Sequence, residues 1–164
     1  MAYIDFVSEL HKATKRDYIG RVTGADKAEC AVIAKQYGYD YWDGDRKYGY
    51  GGYRYDGRWR GIAQKLVDHY HLQSGMKVLD VGCGMAYLLY ELTQVVPGLL
   101  VYGIDISKYA LEHAKEEIRD RLQYGQAQDI PFPDDEFDLV ISLTTLHNLK
   151  VYDLKKAVQE IERV

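Results

Sequence analysis

The apolar positions of the chain change period along its length, and each change marks an element. Phe6, Val7 and Leu10, then Tyr18, Ile19 and Val22, recur at an imperfect helical spacing before Gly24. Asp26 heads an alanine-rich stretch, which predicts a helix over 27–37 capped by Asp26 and ended by Gly38 at positive φ. From 39 to 57 the composition turns to Tyr, Gly, Asp and Arg, too rich in glycine for a helix. Tyr48 and Tyr50 alternate before Gly51-Gly52, and Tyr53 and Tyr55 alternate after it, which predicts a hairpin. A helix is predicted over 58–71, where Trp59, Ile62, Ala63, Leu66, Val67 and Tyr70 form one stripe.

Beyond Gly75 strands and helices alternate. A buried-strand run covers 77–81, and a helix over 87–96 puts Leu88, Leu89, Leu92 and Val96 on one side before the Pro97-Gly98 turn. A second strand is predicted over 99–104. Ser107 then caps a helix over 107–120 with Ala110, Leu111, Ala114 and Ile118 facing inward. A weaker strand over 122–127 and a strong one over 137–143 follow. Asp153 caps a last helix in which Leu154, Ala157, Val158 and Ile161 share a face. This order predicts an α/β fold, a Rossmann-like parallel sheet with helices on both faces. Residues 1–57 would form a cap of helices and a Tyr-rich hairpin, and 58–164 the sheet domain.

Composition narrows the function classes. At 164 residues, 47% hydrophobic and 28% charged, the chain can bury a core of about one domain. There is no apolar run long enough to cross a membrane, and Met1-Ala2-Tyr3-Ile4-Asp5 does not resemble a leader, so a cytoplasmic location is expected. Cys30 and Cys83 lie far apart without metal-ligand spacing, so reduced thiols and no metal are expected. The net charge of −4 argues against nucleic acid as the principal partner. That charge is uneven, with 12 Lys and Arg against 10 Asp and Glu up to Gly75, and 9 against 15 beyond it. Tyrosine occurs 16 times, seven of them between Tyr37 and Tyr55.

In an open parallel sheet, ligands sit at the carboxyl ends of the strands. The first such turn, Asp80-Val81-Gly82-Cys83-Gly84, has two glycines that let backbone amides approach a ligand, or that simply make a tight turn. Tyr87 stands where a dinucleotide fingerprint wants a third glycine, and Asp80 would oppose a pyrophosphate but suit a cationic group. Asp105, ending the second strand, can accept from a ribose diol. Asp129 can accept from an amino group while Ile130 lies against a ring. An amino group, a ribose and an adenine together describe S-adenosylmethionine.

On these residues the chain resembles the class I S-adenosylmethionine-dependent methyltransferases, in the small-molecule branch similar to the ubiquinone and menaquinone enzymes. The segments that carry the likeness are Val78-Leu79-Asp80-Val81-Gly82-Cys83-Gly84, Tyr102-Gly103-Ile104-Asp105-Ile106, and Ala127-Gln128-Asp129-Ile130-Pro131-Phe132-Pro133 running into Phe137-Asp138-Leu139-Val140. The resemblance implies that Asp80, Gly82, Cys83 and Gly84 hold the methionine end, Asp105 the ribose and Ile106 one adenine face. Asp129 and Ile130 would hold the adenine edge, with Ser142 a further cofactor contact. Ala86 replaces a glycine that the family often has. S-adenosylmethionine would be the cofactor and S-adenosylhomocysteine its product, with methyl transfer to a small, polar acceptor such as a sugar- or nucleotide-linked molecule. A cofactor-binding module without catalysis and an RNA methyltransferase are the alternatives.

His147, after the fourth strand, is the nearest candidate base and equally a loop hydrogen-bonder. Ser142-Leu143-Thr144-Thr145 lacks the Asn/Asp-Pro-Pro-aromatic motif of enzymes that methylate exocyclic amines of DNA bases. Tyr48, Tyr50, Tyr53 and Arg58 are candidate acceptor contacts, or a hairpin packed on the core. Similar methyltransferases have seven strands in the order 3-2-1-4-5-7-6. This chain supplies four in the order 3-2-1-4, so strands 5–7 are expected to be absent by truncation from a longer chain. The free fourth strand would then invite a homodimer.

Overall fold

The computed structural model describes residues 4–8 and 26–164. The apolar positions Leu10, Tyr18, Ile19 and Val22 lie outside these residues. Phe6 and Val7 pack against the main core, with the Phe6 ring stacked 6.0 Å from Tyr70.

Ahead of the sheet come α1 (Lys27–Ala34), α2 (Tyr39–Trp42) and α3 (Arg60–Tyr70). Then follow β1 (Lys77–Val81), α4 (Tyr87–Val95), β2 (Leu100–Asp105), α5 (Lys108–Glu112), α6 (Glu116–Arg119), β3 (Leu122–Tyr124), β4 (Leu139–Ile141) and α7 (Val151–Arg163). A single 3-10 turn at Leu146–Asn148 precedes α7. The four strands are all parallel, in the order β3-β2-β1-β4, which is the predicted order.

Residue alternation in β1 divides the core. Val78 packs with Ile62 and Leu66 of α3, Leu89 and Leu92 of α4, and Ile118 of α6. Leu79 and Val81 pack on the other face with Ile104, Ile130 and Ala157 of α7. Both faces are covered, so after Lys77 the strand reads as an apolar run interrupted by Asp80.

Several local expectations are corrected. No hairpin forms at 48–55: the amide of Tyr50 donates to Tyr41 O at 2.8 Å and that of Gly52 to Trp42 O at 2.9 Å, so the segment folds back onto α2. Its alternation has another cause, since Tyr53 and Tyr55 pack inward while Arg54 and Asp56 are exposed. The helix after Asp26 ends at Ala34 with Lys35 as its C-cap, and the positive φ that follows is taken by Tyr37, at 49, and not by Gly38. That turn aims the Tyr37 carbonyl at the Trp42 indole N–H, 3.1 Å away.

The predicted helix over 107–120 is two helices, because Lys115 leaves helical geometry at ψ 133. The Arg119 guanidinium donates to Ala114 O at 2.9 Å, so that carbonyl stays bonded while Ala114 and Ile118 both stay buried. Asp153 is not a cap: α7 begins at Val151 with Lys150 as its N-cap, and Asp153 sits in the first turn, where an acid favours the helix dipole.

Candidate active site

The turn after β1 is built for close approach. Gly82 and Gly84 adopt φ 82 and 56, which glycine takes without strain. A Cβ at Gly82 would collide with the Thr145 side chain, and one at Gly84 would lie 2.7 Å from the Trp42 ring. Ala86 also has positive φ, 54, so the third small residue keeps the backbone shape that a glycine would take more cheaply.

Asp80 is the anomaly of the sheet. Its side chain is buried within β1, and among the described residues Oδ1 has no hydrogen-bond partner. Burial first, and the charge of Asp105 second, push its carboxyl from 3.8 up to about 7. An unpaired buried carboxyl is costly to a strand and calls for a ligand. Burial also pushes the Cys83 thiol up, with Asp80 and Asp105 adding to it. The Cys83 side chain packs toward the core beside Gly103, which leaves only its backbone for the turn.

Asp105 closes β2 and is oriented from two sides. Its Oδ2 accepts from Gly84 N at 2.8 Å and its Oδ1 from Ser107 N at 2.7 Å. Burial raises its pKa and these amides oppose the rise. Each oxygen retains a lone pair for a ligand hydroxyl.

A cavity of about 350 Å³ opens at these strand ends. Its floor is Gly82, residues 104–106 and residues 125–128. Its roof comes from the N-terminal part as Lys35, Tyr37, Tyr41, Trp42 and Tyr50, and its third wall is Thr144, Thr145 and residues 148–150. A smaller annex of about 50 Å³ includes Asp80, Gly82, Gly84, Tyr53 and Trp59, and shares Gly82, Trp42, Tyr50 and Thr144 with the larger cavity. Trp42 helps to pin the roof: its indole N–H donates to Ser107 Oγ at 2.8 Å, while its ring stacks on Tyr50 at 5.2 Å and 7°.

The structure therefore brings Asp80, Gly82, Cys83, Gly84, Asp105, Ile106, Tyr50 and Tyr53 to the cavity and its annex. Other expected residues lie elsewhere. Asp129 is exposed and Ile130 is buried in the second core cluster, its amide donating to Glu160 Oε2 at 2.9 Å; neither lines the cavity, and Gln126 to Gln128 do. Ser142 Oγ donates to Val81 O at 3.0 Å, tying β4 to β1. His147 is exposed in the 3-10 turn and is not in the wall, whereas Asn148 beside it is. Tyr48 packs under Lys47, and Arg58 is engaged by Asp56 at 2.5 Å; neither lines the cavity. Trp42, Tyr37, Tyr41, Lys35, Gln126, Asn148 and Lys150 are among the wall residues that sequence reasoning did not single out. Among the described residues no group of three or more His, Cys, Asp or Glu side chains could hold a metal ion.

The residues present fit S-adenosylmethionine. An unpartnered buried carboxyl oxygen suits its ammonium, two glycines whose Cβ positions are already occupied suit a backbone-hugging chain, and a two-oxygen acceptor at the end of β2 suits a ribose.

Comparison with known proteins points the same way. The profile of a family described as "Methyltransferase domain" matches residues 79–164. A curated demethylmenaquinone methyltransferase of Symbiobacterium thermophilum is 34% identical over 116 residues, covering 66% of this chain and 45% of that protein. One from Geobacillus is 36% identical over 114 residues, covering 65% and 47%. This chain spans about half the length of the curated relatives it matches. Among solved structures, a putative S-adenosyl-L-methionine-dependent methyltransferase of Methanococcus maripaludis superposes with TM-score 0.56 at 25% identity, covering 64% of this chain and 49% of that one. A SAM-dependent methyltransferase of Aquifex aeolicus gives 0.52 at 28%, covering 62% and 57%.

Proposed function

This chain belongs to the methyltransferase domain family, and we propose that it carries the cofactor site of an S-adenosylmethionine-dependent small-molecule methyltransferase. The observation that supports this reading most is Asp80, a buried carboxyl with an unpartnered oxygen, which lines the annex together with the two glycines of the turn. In this reading residues 58–164 are the cofactor domain, and 26–57, the described part of the cap, roof the site.

When bound, S-adenosylmethionine supplies a methyl group on a positively charged sulfur that leaves as a neutral thioether. The chain contributes position and exclusion of water. Asp80 accepts from the ammonium, Gly82 and Gly84 let the backbone lie against the amino-acid chain, and Asp105, held by Gly84 and Ser107, presents its free lone pairs to the ribose. Ile106 and residues 126–128 would flank the adenine, taking the role expected of Asp129 and Ile130. Trp42 and Tyr50 line both the cavity and its annex and so limit the access of water to the bound cofactor.

The acceptor we propose is a small molecule lying between the tyrosines of the roof and the wall at 144–150, in keeping with the demethylmenaquinone for which the curated relatives are named. Tyr50 and Tyr53 stand at this place; Tyr48 and Arg58 do not, so we do not assign the acceptor to them. No helix among the described residues is long and apolar enough to cross a membrane. The β4 edge could pair with a second copy, a reading that sedimentation tests directly.

Isothermal titration of the chain with S-adenosylhomocysteine tests the reading. Saturable heat with one site per chain is expected, and no heat at hundreds of micromolar ligand would refute it. A second reading, binding without transfer, draws on the absence of any histidine from the described cavity wall. Binding with no methylated product across an acceptor panel would favour it.

A further inference from the structure

S-adenosylmethionine is an amino-acid chain and a ribosyl adenine joined at the sulfur. With the amino-acid end in the annex at Asp80 and the ribose in the cavity at Asp105, the sulfur falls where the two spaces meet. Four residues line both of them: Trp42, Tyr50, Gly82 and Thr144.

The packing of the site accounts for three of the four. Gly82 N donates to Ile104 O at 2.8 Å, and its carbonyl accepts from Thr145 Oγ1 at 3.3 Å. Trp42 gives its N–H to Ser107 Oγ and Tyr37 O, and the Tyr50 ring packs against Tyr41, Trp42 and Tyr53. Thr144 is different. Five non-glycine residues among those described have positive φ, namely Tyr37, His71, Ala86, Asp135 and Thr144. Thr144, at φ 56, is the β-branched one, for which this region is least favourable. Glycine, asparagine or aspartate would take that conformation more cheaply.

The backbone at this place is fixed by its neighbours. Asn148 Nδ2 donates to Thr144 O at 3.4 Å, and the Thr145 side chain fills the space over Gly82. These contacts explain the turn but not the threonine, whose side chain is exposed and whose Oγ1 makes no hydrogen bond among the described residues. Backbone strain retained together with an unbonded hydroxyl, at the point where the reacting atom must lie, suggests a role toward that atom.

We propose that Thr144 reads the charge on the cofactor's sulfur: its hydroxyl oxygen faces the polarised C–H groups of the sulfonium and favours the charged methyl donor over the neutral thioether product. This rests on the cofactor reading of the site and deepens it to one residue and one preference. C–H groups beside a positive sulfur are better donors than ordinary ones, and the buried Trp42 on the opposite side lessens competition from water. The contact weakens as the sulfur loses its charge. It therefore serves the exchange of spent product for fresh donor rather than the chemical step.

S-adenosylmethionine and S-adenosylhomocysteine differ by one methyl group and one charge. Each is titrated calorimetrically into the full chain without an acceptor, and the ratio of their affinities is read. Thr144→Gly and Thr144→Val should each lower the preference for the sulfonium by about two- to fivefold relative to the parent, the worth of one weak hydrogen bond. The change should lie in S-adenosylmethionine, with S-adenosylhomocysteine nearly unmoved, and Thr144→Ser should keep the parent ratio. Glycine adopts φ 56 freely, so that variant decides the matter even if the valine variant does not fold. An unchanged ratio in Thr144→Gly, an equal loss of both ligands, or a serine variant that behaves like glycine would overturn the proposal. Failure of the parent to bind either ligand is a different result, which removes the cofactor reading itself and this proposal with it.

Discussion

Replacing Asp80 with asparagine should make the unliganded protein more stable, by an amount that grows with pH. The carboxyl is buried in β1 beside Asp105, with Oδ1 unpartnered, and its pKa is pushed from 3.8 up to about 7. Because the folded value lies above the unfolded one, the folded state binds more protons between about pH 4 and pH 7, so stability falls as pH rises through that window and is level above it. At 1.36 kcal/mol per pH unit of displacement, the parent should lose on the order of 2–3 kcal/mol from this group between pH 5 and pH 8. Asparagine is nearly isosteric and does not titrate. The difference between variant and parent should therefore widen by about that amount over the same interval, since carboxylates remote from Asp80 and its neighbour Asp105 titrate alike in both proteins.

Urea unfolding followed by tryptophan fluorescence at the two pH values measures it. A difference that is flat with pH would show that Asp80 is solvated or paired, and one that narrows would show that its charge is stabilised in the free protein. Either result removes the argument that this carboxyl awaits a cation. Saturating S-adenosylhomocysteine should reverse the ranking by stabilising the parent more than the variant.

Other substitutions probe the parts that hold the site. Tyr55→Phe removes the hydroxyl that donates to Glu91 Oε1 at 2.6 Å, leaving a fully buried carboxyl whose partner among the described residues is Arg60 at 3.6 Å, so a loss of about 1–3 kcal/mol is expected in urea unfolding; no loss would mean that the carboxyl finds another donor. Gly84→Ala places a methyl 2.7 Å from the Trp42 ring at a left-handed backbone position, and should cost about 1–2 kcal/mol in strain and red-shift the tryptophan emission; an unchanged spectrum would deny the contact. Asp105→Ala should weaken S-adenosylhomocysteine binding by about 1.5–3 kcal/mol in calorimetry, and unchanged affinity would refute the ribose assignment.

The sheet was legible because each strand after Gly75 combines an apolar run with a turn signal, and the parallel order follows from the helices between them. The glycine turn was legible from residue types alone, since Gly82 and Gly84 need positive φ and Asp80 breaks an otherwise apolar strand. The aromatic roof was misread for a physical reason. Period-two burial at Tyr53 and Tyr55 is what a hairpin shows, but here it comes from rings packing on Trp42, Tyr87 and Tyr90, while the backbone bonds of Tyr50 and Gly52 go to α2. Asp129 and Ile130 lie off the cavity because Arg163 and Glu160 of α7 bond the Ile130 backbone and its side chain packs into the core, which leaves Gln126 to Gln128 in the cavity wall. Lys35 and Lys150 carried no local signal, since only the folded chain sets the end of α1 near the start of α7.

A crystal structure of the chain with S-adenosylhomocysteine is the most direct test of the cofactor site. The account predicts the ligand's amino group at Asp80, its ribose hydroxyls on Asp105 and its adenine between Ile106 and residues 126–128, beneath Trp42 and Tyr50. A ligand bound elsewhere, or one that leaves the Asp80 carboxyl unpartnered, would contradict it.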